Sequence, residues 1–190
     1  MSKNRGDKSQ PDSSETKNNH SLKGLTESEL QTLTATAYHE AGHAVMALIV
    51  GRPIQKITIV PSKVNAISAR LGACEMKKGR IKPTSDWLED EVLVLFAGMV
   101  AESHFTDEQN ERGAGQDMRM IRKLLSQNRA NSERQLEKLE RRLLSKTEYL
   151  LEDEASQKAI EQIAKRLIEK HTISGREATH LFEQAEKRTK

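Results

Sequence analysis

The sequence predicts a mainly α protein of the α+β kind, in which a small β-sheet or hairpin is inserted after the first helix. Three observations predict it. Only 3% of the residues are aromatic while 31% are charged, so the core has to be built from Leu, Ile, Val, Ala and Met, a set that suits helices better than a sandwich. Apolar residues recur at helical spacing along most of the chain. One run, IQKITIV at residues 54–60, carries the β-branched content of a strand instead.

Taken in order, residues 1–24 hold a single leucine and are mostly Ser, Asn, Asp, Lys and Gln, too polar to offset the entropy of ordering. They read as a disordered tail, and residues 25–190 as one folded domain. The first helix starts at TESE, where Thr26 can cap the chain and Glu29 can reach back to it. It runs to about Val50, and Gly51 and Pro53 stop it. The strand at 54–60 then pairs with a second extended stretch, AISARLGACEM at 66–76. Asp86 and Glu89 stand at capping-box spacing and open a helix, buried on several sides, that ends near Phe105. DEQNERGAGQ at 107–116 reads as a polar, glycine-bearing loop, placing Asp117 in the first turn of the next helix. A charged helix from Glu133 carries Leu136, Leu139, Leu143 and Leu150 as an apolar stripe for intrachain packing. Two more helices follow, the last opened by Ser174 and Glu177.

The net charge of +3 is spread thinly, which argues against nucleic acid or an anionic membrane as partner. The one cysteine, Cys74, has no partner for an intramolecular disulfide. The longest apolar runs, 44–51 and 92–101, fall short of the roughly 20 residues that cross a bilayer. With no leader pattern at the polar N-terminus, the expectation is a cytoplasmic protein without a membrane span.

Chemistry concentrates in the first helix, at His39-Glu40-x-x-His43. Positions i and i+4 lie about 40° apart on one helix face, so two imidazoles can grip one ion. Catalytic zinc takes three protein ligands and leaves a fourth place for a water of lowered pKa. Glu40 beside that water would be its general base. A third histidine six residues after His43 is ruled out, because Met46 and Ile49 occupy the positions where metzincins carry Gly and His. The remaining source is a carboxylate from a distant helix, either Glu102 or Asp117, with Asp117 preferred because two glycines precede it. The competing reading is an ordinary buried helix with neighbouring histidines.

AYHEAGHAV, KITIVP, LFAGMVAES, GAGQDMRMIRKLL and LIEKHTISGREATHLFEQA together resemble, in order and spacing, the peptidase domain of FtsH-type AAA zinc proteases. The resemblance covers roughly residues 30–187. It implies a helical zinc-peptidase domain with one Zn2+ per chain, held by His39, His43 and Asp117, with Glu40 as catalytic base. It implies that Glu102 orients a ligand histidine, and that Ala69, Arg70, Leu71, Gly72 and Ala73 belong to the edge strand that holds an unfolded protein or peptide substrate.

The departures matter too. No Gly-x-x-x-x-Gly-Lys-Ser/Thr motif is present, so the expected enzyme is an endopeptidase that is ATP-independent in itself, or one served by an ATPase partner in trans. Met99 stands where the family commonly has arginine, and the segment between Leu125 and Glu148 is shorter and more charged than the family's, which argues against the family's hexamer; a homo-oligomer of another kind stays open. The alternative reading is a catalytically silent protein-binding module that keeps the fold and the metal site.

Overall fold

The computed structural model describes residues 26–61, 72–77, 86–105 and 111–189. The predicted tail and the greater part of the predicted second strand lie outside them. Six helices and three short strands are described: α1 Glu27–Ile49, β1 Ile54–Thr58, β2 Ala73–Met76, α2 Trp87–Phe105, α3 Glu111–Asn128, α4 Glu133–Leu151, α5 Glu154–Lys170, β3 Thr172–Ser174 and α6 Gly175–Arg188. The mainly helical class with a small sheet after α1 is the one the sequence predicts.

Helix α1 is central. Its capping box forms as expected, with Glu29 N–H donating to Thr26 Oγ1 at 3.3 Å and Thr26 N–H to Glu29 Oε2 at 2.9 Å. Its C-terminus closes as a Schellman turn: Arg52 N–H donates to the Ala47 carbonyl at 2.7 Å and Gly51 N–H to Leu48 at 3.0 Å. Gly51 supplies the left-handed residue, at φ 74°. From Ala35 to Ala47 almost every side chain is buried, and many are Ala or Gly, so the neighbouring helices lie close. A Cβ on Gly42 would stand 2.3 Å from the Ala97 carbonyl oxygen of α2. Helix α5 packs on another side of α1 through Ile160, Ile163, Ala164 and Leu167, all essentially inaccessible. Leu136 and Leu143 of the α4 stripe are buried in the same core.

The sheet has the order β2-β1-β3, antiparallel throughout. Strand β1 buries Ile54 and Ile57, three residues apart, which breaks strict alternation. A register shift between Ile54 and Lys56 absorbs the extra residue. Strand β3 is absent from the sequence-based expectation. His171, in the left-handed conformation at φ 61°, ends α5 and turns the chain into it. The His171 carbonyl then accepts from Ile59 N–H at 2.9 Å, so His171 is a helix terminator rather than a residue within a helix.

Helix α3 corrects a second expectation. It starts at Glu111, so residues 113–116 are helical and not a loop, and Asp117 lies beyond the first turn. Two glycines cost a helix about 1 kcal/mol each relative to Ala, but Ile121 and Leu125 anchor this helix in the core, and packing overrides local propensity. Gly115 allows no close approach either, since a Cβ there would meet nothing within 4 Å.

Candidate metal centre

The site lies where α1, α2 and α3 meet, and each helix contributes. His39 and His43, one turn apart on α1, face each other edge on with ring centroids 4.6 Å apart. Helix α2 clamps both rings by Nδ1. His39 Nδ1–H donates to Glu102 Oε2 at 2.9 Å, and His43 Nδ1–H donates to the Val94 carbonyl at 2.7 Å. Both Nε2 atoms are thereby turned toward α3, where Asp117 Oδ2 stands 2.9 Å from His39 and 3.2 Å from His43. His39, His43 and Glu102 are buried, and Asp117 is half-buried.

Burial opposes a charge on His39, but hydrogen bonds to Asp117 and Glu102 and the field of Glu40 outweigh it and hold the imidazole pKa up at about 10. Burial likewise favours a protonated Asp117, yet hydrogen bonds from His39 and His43 keep its carboxyl well below the usual carboxylate range. Without a metal, the pair therefore favours a cationic His39 ring set between the carboxylates of Glu102 and Asp117.

That arrangement fits a cation. The ligand atoms of His39, His43 and Asp117 lie within 4.8 Å of one another. Two imidazoles presenting Nε2, each with Nδ1 donated to an oxygen, plus one carboxylate, form a donor set that suits zinc with an open fourth position. Of the two carboxylates that the residues alone offered, Asp117, the one preferred there, is the one whose oxygen stands beside both Nε2 atoms. Glu102 touches the far side of the His39 ring.

Glu40 is buried between the histidines and the sheet. Gly72, which leads into β2, is packed on its carboxylate: a Cβ at Gly72 would stand 2.7 Å from Glu40 Oε1 and 2.9 Å from the Thr58 carbonyl oxygen. Ala73, the first residue of β2, pairs with Thr58 of β1, and β2 is an edge strand of the described sheet. Ala69, Arg70 and Leu71 lie outside the described residues. Cys74 is half-buried on the same strand, and burial together with Glu40 pushes its thiol pKa far up, which makes it a poor nucleophile.

Sequence reasoning missed two participants. Val94 acts through its main-chain carbonyl, which no side-chain pattern can reveal. Gly98 of α2 faces both imidazoles, and its role is the absence of a side chain.

The segment that builds the site also carries the likeness to known proteins. Residues 26–130, spanning α1 to α3, match the model of Peptidase family M41. An ATP-dependent zinc metalloprotease FtsH of Protochlamydia amoebophila is 40% identical over 98 residues, which is 50% of this chain and 10% of that protein. Proteins of the same description from Acidobacterium capsulatum and Marinobacter nauticus are each 36% identical, over 44% and 48% of this chain and 13% and 14% of their own lengths. The matched part is thus a small fraction of each relative.

Proposed function

The chain belongs to peptidase family M41, and from that premise we propose that it is a zinc-dependent endopeptidase acting on unfolded proteins or peptides. The observation that carries the reading is the convergence of His39 Nε2, His43 Nε2 and Asp117 Oδ2, with Glu40 buried beside them.

In this reading His39, His43 and Asp117 hold one Zn2+, which when bound polarises a peptide carbonyl and makes water acidic enough to be used near neutral pH. Glu40 takes the proton from the attacking water at its carboxylate and passes it to the departing amine nitrogen. Glu102 and the Val94 carbonyl keep the two imidazoles from rotating, so the ligands need no rearrangement during the reaction. The substrate backbone lies along β2 from Gly72 and Ala73 onward, adding a strand to the edge. Main-chain hydrogen bonds then supply affinity with little demand on sequence.

Lys56 and Glu75 pair across β1 and β2 at 3.2 Å and keep the strand in register at that end. An extended substrate has to be unfolded already, or be delivered so by an ATPase partner in trans. Among the described residues no helix is long and apolar enough to cross a membrane, and a cytoplasmic setting with no nucleic-acid partner is part of the proposal.

The test is zinc content per chain and cleavage of casein, measured on the native chain and on Glu40→Gln. One zinc in both, with cleavage only in the native chain, supports the reading. Zinc in both and cleavage in neither favours a silent binding module. Equal cleavage in both would mean that Glu40 is not the base.

A further inference from the structure

We propose that Gly98 and Gly72 are positioning residues of this site. The missing side chain of Gly98 gives His39 and His43 room to turn both Nε2 atoms onto one cation, and that of Gly72 gives Glu40 room to stand beside them. The inference deepens the zinc-peptidase reading and rests on it.

Gly98 lies in the interior of α2, where glycine is less favourable than alanine. Helical propensity therefore does not call for it. A Cβ there would stand 2.6 Å from His43 Cε1, 2.7 Å from His39 Nε2 and 2.7 Å from His43 Nε2. All three atoms are on the metal-facing edges of the rings, and contacts this short are well inside the optimum of roughly 3.5 Å. Nor can the rings slide away freely. Their Nδ1 atoms are held by Glu102 and by the Val94 carbonyl, on the same helix that carries Gly98. A methyl at 98 must break one of those hydrogen bonds or push an Nε2 out of the ligand cluster.

Gly72 acts on the base in the same way. A Cβ would stand 2.7 Å from Glu40 Oε1, 2.8 Å from Glu40 Cγ and 2.9 Å from the Thr58 carbonyl oxygen. The Thr58 carbonyl belongs to paired β1, so the carboxylate has to yield. Gly115, two residues before Asp117, is the internal contrast, with open space around it.

The two glycines therefore separate by what their alanine variants lose. Gly98→Ala should fold, as judged by circular dichroism, and bind zinc about 10- to 100-fold more weakly in chelator competition, the range seen when support of a metal ligand is removed. Gly72→Ala should keep one zinc at native affinity and lose about 100-fold in kcat, the usual consequence of moving a reacting group by about 1 Å. Its KM should move less than its kcat. Gly115→Ala should bind zinc as the native chain does.

A metal-free double-mutant cycle provides a readout independent of activity. Gly98→Ala should lower Tm when both rings are present, and cost nothing or raise Tm in a His39→Ala/His43→Ala background. Gly72→Ala should behave in the same way toward Glu40→Ala. Native zinc affinity in Gly98→Ala, or an equal Tm cost in both backgrounds, overturns the role of Gly98. Lost zinc in Gly72→Ala, or an equal Tm cost with and without the Glu40 carboxylate, overturns that of Gly72. A native chain that binds no zinc sinks the peptidase reading instead, and the two cycles still decide whether the glycines make room for the rings and the carboxylate.

Discussion

The Val94 carbonyl oxygen accepts a hydrogen bond from His43 Nδ1 at 2.7 Å, whereas the equivalent nitrogen of His39 is held by a side chain, Glu102 Oε2, at 2.9 Å. In an α-helix the carbonyl of residue 94 already pairs with the amide of residue 98, so His43 uses its second lone pair. The two candidate ligands are thus supported unequally. One support can be removed by mutation and the other cannot.

Glu102→Ala should therefore weaken zinc binding by about 10- to 100-fold, while Val94→Ala changes it little. Asp117→Ala should weaken it further than either, because a ligand atom is lost. Chelator competition on the three variants gives the ranking. Should Glu102→Ala prove the most damaging, Glu102 and not Asp117 is the third ligand.

Glu40→Gln should keep one zinc and lose about 10²- to 10⁴-fold in the rate of peptide hydrolysis, the range for removal of a general base. Equal hydrolysis rates in the variant and the native chain would mean that Glu40 is not the base.

In the metal-free chain the His39 pKa is raised from 6.5 to about 10. Its pairing with Asp117 and Glu102 therefore contributes stability that is complete below pH 6.5 and is lost as pH climbs through about 10. Asp117 is depressed from 3.8, so the same pair is retained above that pH and lost as pH falls below it. The metal-free Tm should accordingly drop on the alkaline side. Zinc has to displace the His39 proton, so affinity should rise over the same interval. Calorimetric titration in buffers of different ionisation enthalpy will detect the released proton. No release at neutral pH would contradict a protonated His39.

Arg52, buried where α1 ends, forms an ion pair with Glu91 of α2. Glu91→Ala leaves that guanidinium without its carboxylate and should cost about 2 kcal/mol, less than for a fully buried pair because Glu91 is partly exposed. Urea denaturation measures the loss. Exposed Lys146→Ala, which removes one arm of the surface cluster at Glu89, should cost about 0.5 kcal/mol or less.

What the sequence made legible follows how far each determinant reaches. Caps are local, so Thr26 with Glu29, Asp86 with Glu89 and Ser174 with Glu177 marked helix starts correctly, and in each the amide of the third residue donates to the cap. The HExxH spacing is local as well, and it put His39 and His43 on one face.

Distant contacts were harder to read. The start of α3 was misplaced because Gly113 and Gly115 look like a loop until Ile121 and Leu125 are seen in the core. Strand β3 has three residues, too few for any period to show. The residues alone made Asp117 the preferred one of two candidates and the resemblance implied the same choice, while the α1–α3 contact is what brings its carboxylate, and not that of Glu102, beside both Nε2 atoms. Gly98 and the Val94 carbonyl leave no trace in residue chemistry, since one acts by having no side chain and the other through its backbone.

The pairing of β1 with β3 sets the order in which this molecule can be assembled. Thr58 Oγ1 meets Thr172 Oγ1 at 2.7 Å across 114 residues of chain, and Gly175 is wedged so tightly on β1 that a Cβ would stand 1.9 Å from the Ile54 carbonyl oxygen. During vectorial synthesis the histidine helix and its hairpin emerge long before the segment that closes the sheet. Contacts so far apart in sequence are slow to form, so the strand flanking Glu40 gains its second neighbour late. A nascent chain carries all three candidate metal ligands before it has finished the wall along which the proposed substrate would lie.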